Sequence, residues 1–296
     1  MPSPQLELIV KGLRSRPAPP AGAGFAEMRQ GMQQIGALNR PPEGTSVESV
    51  SIDGVSCEWV AAPGARDDAA IMYLHGGGYV LGSPATHRNL TGYLSQAAGI
   101  RVLAVDYRLA PEHPHPAAVD DAVTAYRWLL ASGLTPERVM LAGDSAGGGL
   151  ALATMLALRE SSAPLPAAAA LLSPWVDLAL LGESMDVKGE VDPMLSRAML
   201  QRMADAYLAG RAPSTDLASP LYADLTGLPP LLVQVGTAEV LLADALRLAE
   251  RARDAGVTVE LEEYPDLIHV FQWFVPLLPE ATEALGRVGK FLSSRA

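Results

Sequence analysis

From Ala70 onward the chain repeats one pattern, an apolar run of strand length followed by a stretch with helical spacing. AIMYL precedes THRNLTGYLSQAA, RVLAVDY precedes AAVDDAVTAYRWLLAS, RVMLAGD precedes SAGGGLALATMLALRE, and PLLVQV precedes VLLADALRLAERARDAG. AAAALLS and VTVELEEY complete the strand candidates of this region. Strands separated by helices pair in parallel through crossovers, and the helices cover both faces of the sheet. Two earlier segments, VESVSID and VSCEWVAA, meet at Asp53-Gly54, a two-residue turn signal that adds an antiparallel hairpin at the start. The predicted fold class is therefore α/β, with an eight-stranded, mostly parallel sheet flanked by helices.

The alternation breaks once. Between 178 and 214 there is no strand candidate, only a loop with Gly, Asp and Pro and the helix-like SRAMLQRMADAYLAG. Helical spacing also marks 4–15 and 24–38, separated by RPAPPAGAG, whose prolines stop one helix and tether the next. The predicted division is a catalytic sheet domain of 46–178 and 215–296, with 1–45 and 179–214 forming a helical cap.

Composition narrows the function classes. At 49% hydrophobic and 19% charged residues, the 296-residue chain can bury a full core and is not disordered. A net charge of -11, without any basic run, argues against nucleic acid or an anionic membrane as partner. The single cysteine, Cys57, excludes an intrachain disulfide. LELIV near the start is interrupted by Glu7 and unlike a signal peptide, and no apolar stretch reaches membrane-spanning length, so a cytoplasmic location is expected. His113 and His115 are split by Pro114 and no HExxH helix motif occurs, so neither a metal nor another cofactor is expected.

In open parallel sheets ligands gather at the carboxyl ends of the strands. RVMLAGD runs directly into a helix there, so GDSAG puts Ser145 on a sharp turn between Gly143 and Gly147. Such a nucleophile elbow lifts a hydroxyl clear of the backbone, and only glycine-sized neighbours let strand and helix close that tightly. HGGG, starting at His75, leaves the strand AIMYL at the same edge. Three consecutive glycines cost order, so their bare N–H groups must serve something that comes close. A serine adding to a carbonyl carbon turns the carbonyl oxygen into an anion, and fixed N–H donors lower that barrier. Gly77, Gly78 and Ala146 are the candidate donors.

The serine needs a base. Where this elbow occurs, the chain order is serine, acid, histidine. His75, His87, His113 and His115 all precede Ser145, which leaves His269 in YPDLIHVF, after the last strand. The acid should follow PLLVQV, where Glu239 lies four residues past Val235 and Asp244 five residues further on, on a different helical face. Glu239 is the preferred acid, holding the His269 tautomer and stabilising its imidazolium.

Taken together, HGGGYVLGSPATHR, DYRLAPEHPHPAA, GDSAGG and the pair GTAEVLLAD and LIHVF resemble the hormone-sensitive-lipase-like branch of α/β-hydrolase esterases, over about 70–271. The resemblance implies the α/β-hydrolase fold, a Ser145–Glu239–His269 triad and an oxyanion hole of Gly77, Gly78 and Ala146. It also implies hydrolysis of a small acyl ester through a covalent acyl-enzyme, under a cap that closes an acyl pocket. Asp106 and Arg108, with Pro111, Pro114 and Pro116, would form a rigid loop supporting HGGG, and Tyr79 and Trp175 would line the pocket. Homodimers are frequent in the family. One departure stands out: many members carry aspartate in a DPLxD arrangement at the acid, whereas here Glu239 stands there and no proline follows. A small cap and only 5% aromatics favour short acyl chains. An amidase, thioesterase or lactonase would use the same residues, whereas a non-catalytic sensor on this scaffold would lack the histidine.

Overall fold

The computed structural model describes residues 3–15 and 24–296, so RPAPPAGAG, apart from Gly24, lies outside the described residues. Helices α1 (Pro4–Arg14) and α2 (Phe25–Gly36) precede the hairpin β1 (Ser46–Ile52) and β2 (Val55–Ala61). There follow β3 (Arg66–Leu74), α3 (Pro84–Ala98), β4 (Ile100–Asp106), α4 (Ala117–Ala131), β5 (Val139–Asp144), α5 (Ala146–Glu160) and β6 (Ala169–Leu172). The insertion carries α6 (Ser184–Val187) and α7 (Arg197–Leu208), and the chain continues with β7 (Leu231–Gly236), α8 (Leu242–Asp254), β8 (Val259–Tyr264) and α9 (Pro279–Ser293). The reading of the sequence assigns no helix to 279–293, although Pro279 at the first position and buried Ala281, Ala284, Leu285, Val288 and Leu292 carry the helical signal.

All eight strands form one sheet in the order β1-β2-β4-β3-β5-β6-β7-β8. β2 runs antiparallel to β1 and β4, and every other pair is parallel. The hairpin turn has Asp53 at φ 48 and Gly54 at φ 89, the two positive values that a tight two-residue turn demands. β5 and β7 are buried along their whole length, as expected of central strands covered on both faces, while the edge strand β8 carries Glu260, Glu262 and Glu263.

One apolar core lies between the sheet and α4, α5 and α8, and the other between the sheet and α3 and α9. From β3 the chain leaves to the α3 side and continues to β4, whereas from β5 it leaves to the α5 side and continues to β6. The carboxyl ends of β3 and β5, which are hydrogen-bonded neighbours, therefore flank the point where the direction of winding reverses, the place where open α/β sheets gather ligands.

The flanking helices meet the insertion above this edge. Arg14 donates to the carbonyls of Glu190 and Val191, both at 3.3 Å, and the Arg202 guanidinium lies 4.6 Å from the centre of the Phe25 ring. Arg29 of α2 ties down to the Val80 and Ala110 carbonyls and forks onto Glu112. Between α1 and the sheet domain runs a groove of about 640 Å³, lined by Leu6, Val10, Val191, Ala238 and Ile268 among others.

Candidate active site

Between β5 and α5 stands one residue that the backbone holds under strain. Ser145 has φ 52 and ψ -122, a conformation that costs a non-glycine residue about 1–3 kcal/mol. Main-chain bonds lock it: Ser145 N–H donates to Leu172 O at 2.8 Å, and Trp175 N–H donates to Ser145 O at 2.9 Å. A side chain at Gly143 would strike the Gly147 carbonyl, and one at Gly147 the carbonyls of Leu74 and His75. The glycine-sized neighbours inferred from GDSAG are thus a steric requirement. The hydroxyl itself has no hydrogen-bond partner among the described residues, His269 included.

Beside the elbow, the orientation of HGGG follows from its carbonyls. In a trans peptide unit the C=O and N–H point opposite ways, so fixing one aims the other. The Gly76 carbonyl accepts from His75 Nδ1 at 2.8 Å, and the Gly77 carbonyl accepts from Leu81 N–H at 2.8 Å and Val80 N–H at 3.2 Å. The N–H groups on the far side of these two units, those of Gly77 and Gly78, have no acceptor among the described residues. The His75 ring does this work uncharged: burial foremost, then the neighbouring His87, push its pKa down to about 3. Its proton sits on Nδ1, since a carbonyl can only accept, and Nε2 is buried without a partner among the described residues. Ala146 N–H, at the first turn of α5, lies beyond the reach of intrahelical bonding and at the positive end of the helix dipole.

His269 follows β8 and is only 4% exposed. Its Nδ1 lies 2.6 Å from Glu239 Oε2, and the other carboxylate oxygen accepts from Gly236 N–H at 3.1 Å. A carboxylate accepts, so Nδ1 carries the proton and Nε2 presents its lone pair. Burial disfavours the imidazolium, but the Glu239 charge and hydrogen bond more than offset this, with Asp192 and Asp144 adding, and the His269 pKa is raised above its ordinary value. Asp244 lies elsewhere, with Oδ2 accepting from the N–H groups of Val176 and Asp177. Of the two acids weighed in the sequence, Glu239 is the one joined to the histidine.

The segment after β6 and the insertion that continues it both reach the loops carrying this pair. Ser173, just past β6, accepts from Val270 N–H at 3.1 Å, so the segment that binds the Ser145 carbonyl also fastens the histidine loop. Asp192, from the insertion, accepts from Val240 N–H at 2.9 Å, next to Glu239. Positive φ at four non-glycine residues, Tyr79 (63), Ser145 (52), Ser173 (46) and Val270 (46), concentrates strain on these loops. Ser173 and Asp192 are absent from the sequence reading. Ser173 is signalled only by its place after a strand, and Asp192 only by the DP dipeptide within the insertion.

Other expectations are corrected. Tyr79 and Trp175 do not line a pocket: they are 1% and 0% exposed, Tyr79 stacks on Tyr207 at 3.9 Å between ring centres, and Trp175 Nε1 donates to Asp177 O. Asp106 is exposed and Arg108 forks onto Asp121, so neither side chain is hydrogen-bonded to HGGG. The loop supports that segment through Tyr107 Oη, which donates to His75 O at 2.6 Å, and Ala110 N–H, which donates to Tyr79 O. The polar residues were the visible ones in the motif, but the buried tyrosine makes the contact.

A family described as alpha/beta hydrolase fold matches residues 71–273. A crystal structure of an esterase from the bacterial hormone-sensitive lipase family superposes with a TM-score of 0.97 at 48% identity, covering 100% of this chain and 99% of that one. The chain belongs to this esterase family. Among the family's curated members it is 46% identical over 298 residues to an acetyl-hydrolase of Streptomyces hygroscopicus, covering 99% of this chain and 97% of the other. It is 39% identical over 249 residues to an esterase of Acinetobacter venetianus, covering 84% and 82%. The structure of the esterase EstE5 soaked with p-nitrophenyl butyrate matches with a TM-score of 0.96 at 44% identity, covering 99% of each chain. No helix among the described residues of this esterase is long and apolar enough to cross a membrane.

Proposed function

We propose that this esterase hydrolyses short-chain acyl esters, with Ser145 as nucleophile, His269 as general base and acid, and Glu239 as the acid that orients the imidazole. Ser145 attacks the ester carbonyl as its proton passes to His269 Nε2; the imidazolium then protonates the departing alcohol, and water releases the acyl group by the same steps. The oxyanion formed in each half-reaction is held by the N–H groups of Gly77, Gly78 and Ala146. The observation that carries this reading is the buried 2.6 Å pair of His269 Nδ1 and Glu239 Oε2, which leaves a basic Nε2 on a loop fastened to the segment that also binds the nucleophile's backbone.

The cap of 1–45 and 179–214 limits the acyl chain. Ser145 is only 7% exposed, and the buried Met203 of α7 packs so tightly on Gly78 that an added methyl group would strike its sulfur. The Streptomyces relative is named for acetyl hydrolysis, which agrees with a small acyl group. The test is a rate series with p-nitrophenyl acetate, butyrate, octanoate and palmitate, on wild type and Ser145→Ala. Turnover of the acetyl and butyryl esters that disappears in the variant is the expected result; a rate that peaks at palmitate refutes the short-chain limit, and turnover by Ser145→Ala refutes the nucleophile.

A further inference from the structure

Asp144, the residue before the nucleophile, is a carboxylate in the core, 3% exposed. Burying a charge is strongly unfavourable unless its partners compensate. Here they do. Oδ1 accepts from Tyr73 Oη at 2.6 Å and from Gly76 N–H at 2.9 Å, while Oδ2 lies 3.5 Å from His87 Nε2. The three partners belong to β3, to the loop beyond it and to α3, so one carboxylate ties the nucleophile strand to its neighbour and to the helix that follows.

The bond to Gly76 acquires its meaning from the other end of the same peptide unit. The His75 carbonyl, which shares that plane with Gly76 N–H, accepts from Tyr107 Oη at 2.6 Å. The unit is gripped at both poles, from β5 on one side and from the end of β4 on the other. It is also the unit immediately before the one bearing Gly77 N–H. Three successive glycines have almost no steric preference of their own, and fixing each costs more backbone entropy than any other residue would. A tilt of the first unit would pass into the next two and turn their N–H groups away from a common focus. The approach is close enough that a methyl group on Gly76 would strike the Asp144 carboxylate.

We propose that Asp144 and Tyr107 are positioning residues which, by clamping the peptide unit between His75 and Gly76, aim the Gly77 and Gly78 N–H groups at the oxyanion. This rests on the oxyanion-hole reading above. Their contribution exists only when the carbonyl oxygen has become anionic, so it falls on kcat and leaves KM nearly unchanged. Asp144→Asn keeps an oxygen for Gly76 N–H and Tyr73 Oη; Asp144→Ala does not.

The test measures kcat and KM for p-nitrophenyl acetate, and the affinity of a short-chain trifluoromethyl ketone, whose adduct with Ser145 carries an oxyanion. In Asp144→Ala, kcat should fall about a hundred-fold, comparable to loss of one oxyanion donor, with KM within about three-fold and ketone affinity falling in parallel. Asp144→Asn should recover to within about ten-fold of wild type, a rescue that lost packing alone would not give. Tyr107→Phe removes the other grip with little change of shape and should lower kcat and ketone affinity together by about ten-fold; it carries the test if Asp144→Ala does not fold. Wild-type kcat in Tyr107→Phe or folded Asp144→Ala, a change confined to KM, or equal damage from Asn and Ala overturns the inference. If Ser145→Ala is inactive while these variants keep wild-type kcat, the positioning role alone is rejected and the nucleophile stands.

Discussion

Replacing Glu239 by glutamine changes one atom and sets two hydrogen bonds against each other. The carboxylate uses one oxygen for Gly236 N–H and the other for His269 Nδ1–H. The amide has one oxygen for both N–H donors. Pointed at His269, it leaves its NH2 against the Gly236 N–H, and an unsatisfied buried donor costs about 1–3 kcal/mol. Pointed at Gly236, it offers NH2 to Nδ1 and forces the proton onto Nε2, where the ring can no longer accept from Ser145. That energy gap leaves the productive orientation populated between about one molecule in six and one in a hundred and sixty. Loss of the charge-assisted bond to the imidazolium, worth about 1.5–3 kcal/mol, multiplies the defect by about ten to a hundred and sixty. The expected loss of kcat for p-nitrophenyl acetate is therefore about sixty- to twenty-five-thousand-fold, with KM little changed. The pH profile supplies an independent readout. His269 must be neutral to act, and Glu239 raises its pKa against burial, so the wild-type rate falls on the acid side above the ordinary histidine value; in the variant that limb moves to lower pH. A glutamine variant with a tenth or more of wild-type kcat, or with an unmoved acid limb, refutes this account of Glu239.

Two further predictions concern stability. Ser145→Gly removes the penalty of φ 52 and should raise the unfolding free energy in urea by about 1 kcal/mol while abolishing turnover; a less stable variant contradicts the strain assigned to the elbow. Asp244 is held protonated up to about 8, by burial first and by Asp177 next, whereas in the unfolded chain it ionises at about 3.9. The folded state thus binds the extra proton, and this contribution is complete below about pH 4 and lost as pH rises through about 8. Asp244→Asn mimics the protonated acid, so its thermal midpoint should fall less than that of wild type between pH 5 and 9, with kcat unchanged; parallel midpoint curves refute the buried-acid reading.

The strands were legible because β5 and β7 are mostly apolar runs, with only Asp144 and Gln234 charged or amide-bearing, set between glycines and helical patterns, and the order of serine and histidine along the chain singled out His269. What escaped the sequence was what reaches across it. Tyr107, Ser173 and Asp192 act through contacts 32, 97 and 48 residues away, and no local periodicity encodes such a pairing. Tyr79 and Trp175 failed in the opposite sense: an aromatic beside a catalytic loop looks the same whether it faces a cavity or, as here, another ring. The Glu239 choice rested on distance from the strand end, and the longer side chain does span to the imidazole.

Asp192 belongs to the insertion, yet its carboxylate holds the amide next to Glu239 and its charge helps keep the His269 imidazole basic. Part of the proton affinity on which turnover depends is therefore stored outside the sheet. A substitution confined to the insertion can therefore weaken the imidazole as a base while leaving Ser145, Glu239 and His269 themselves untouched.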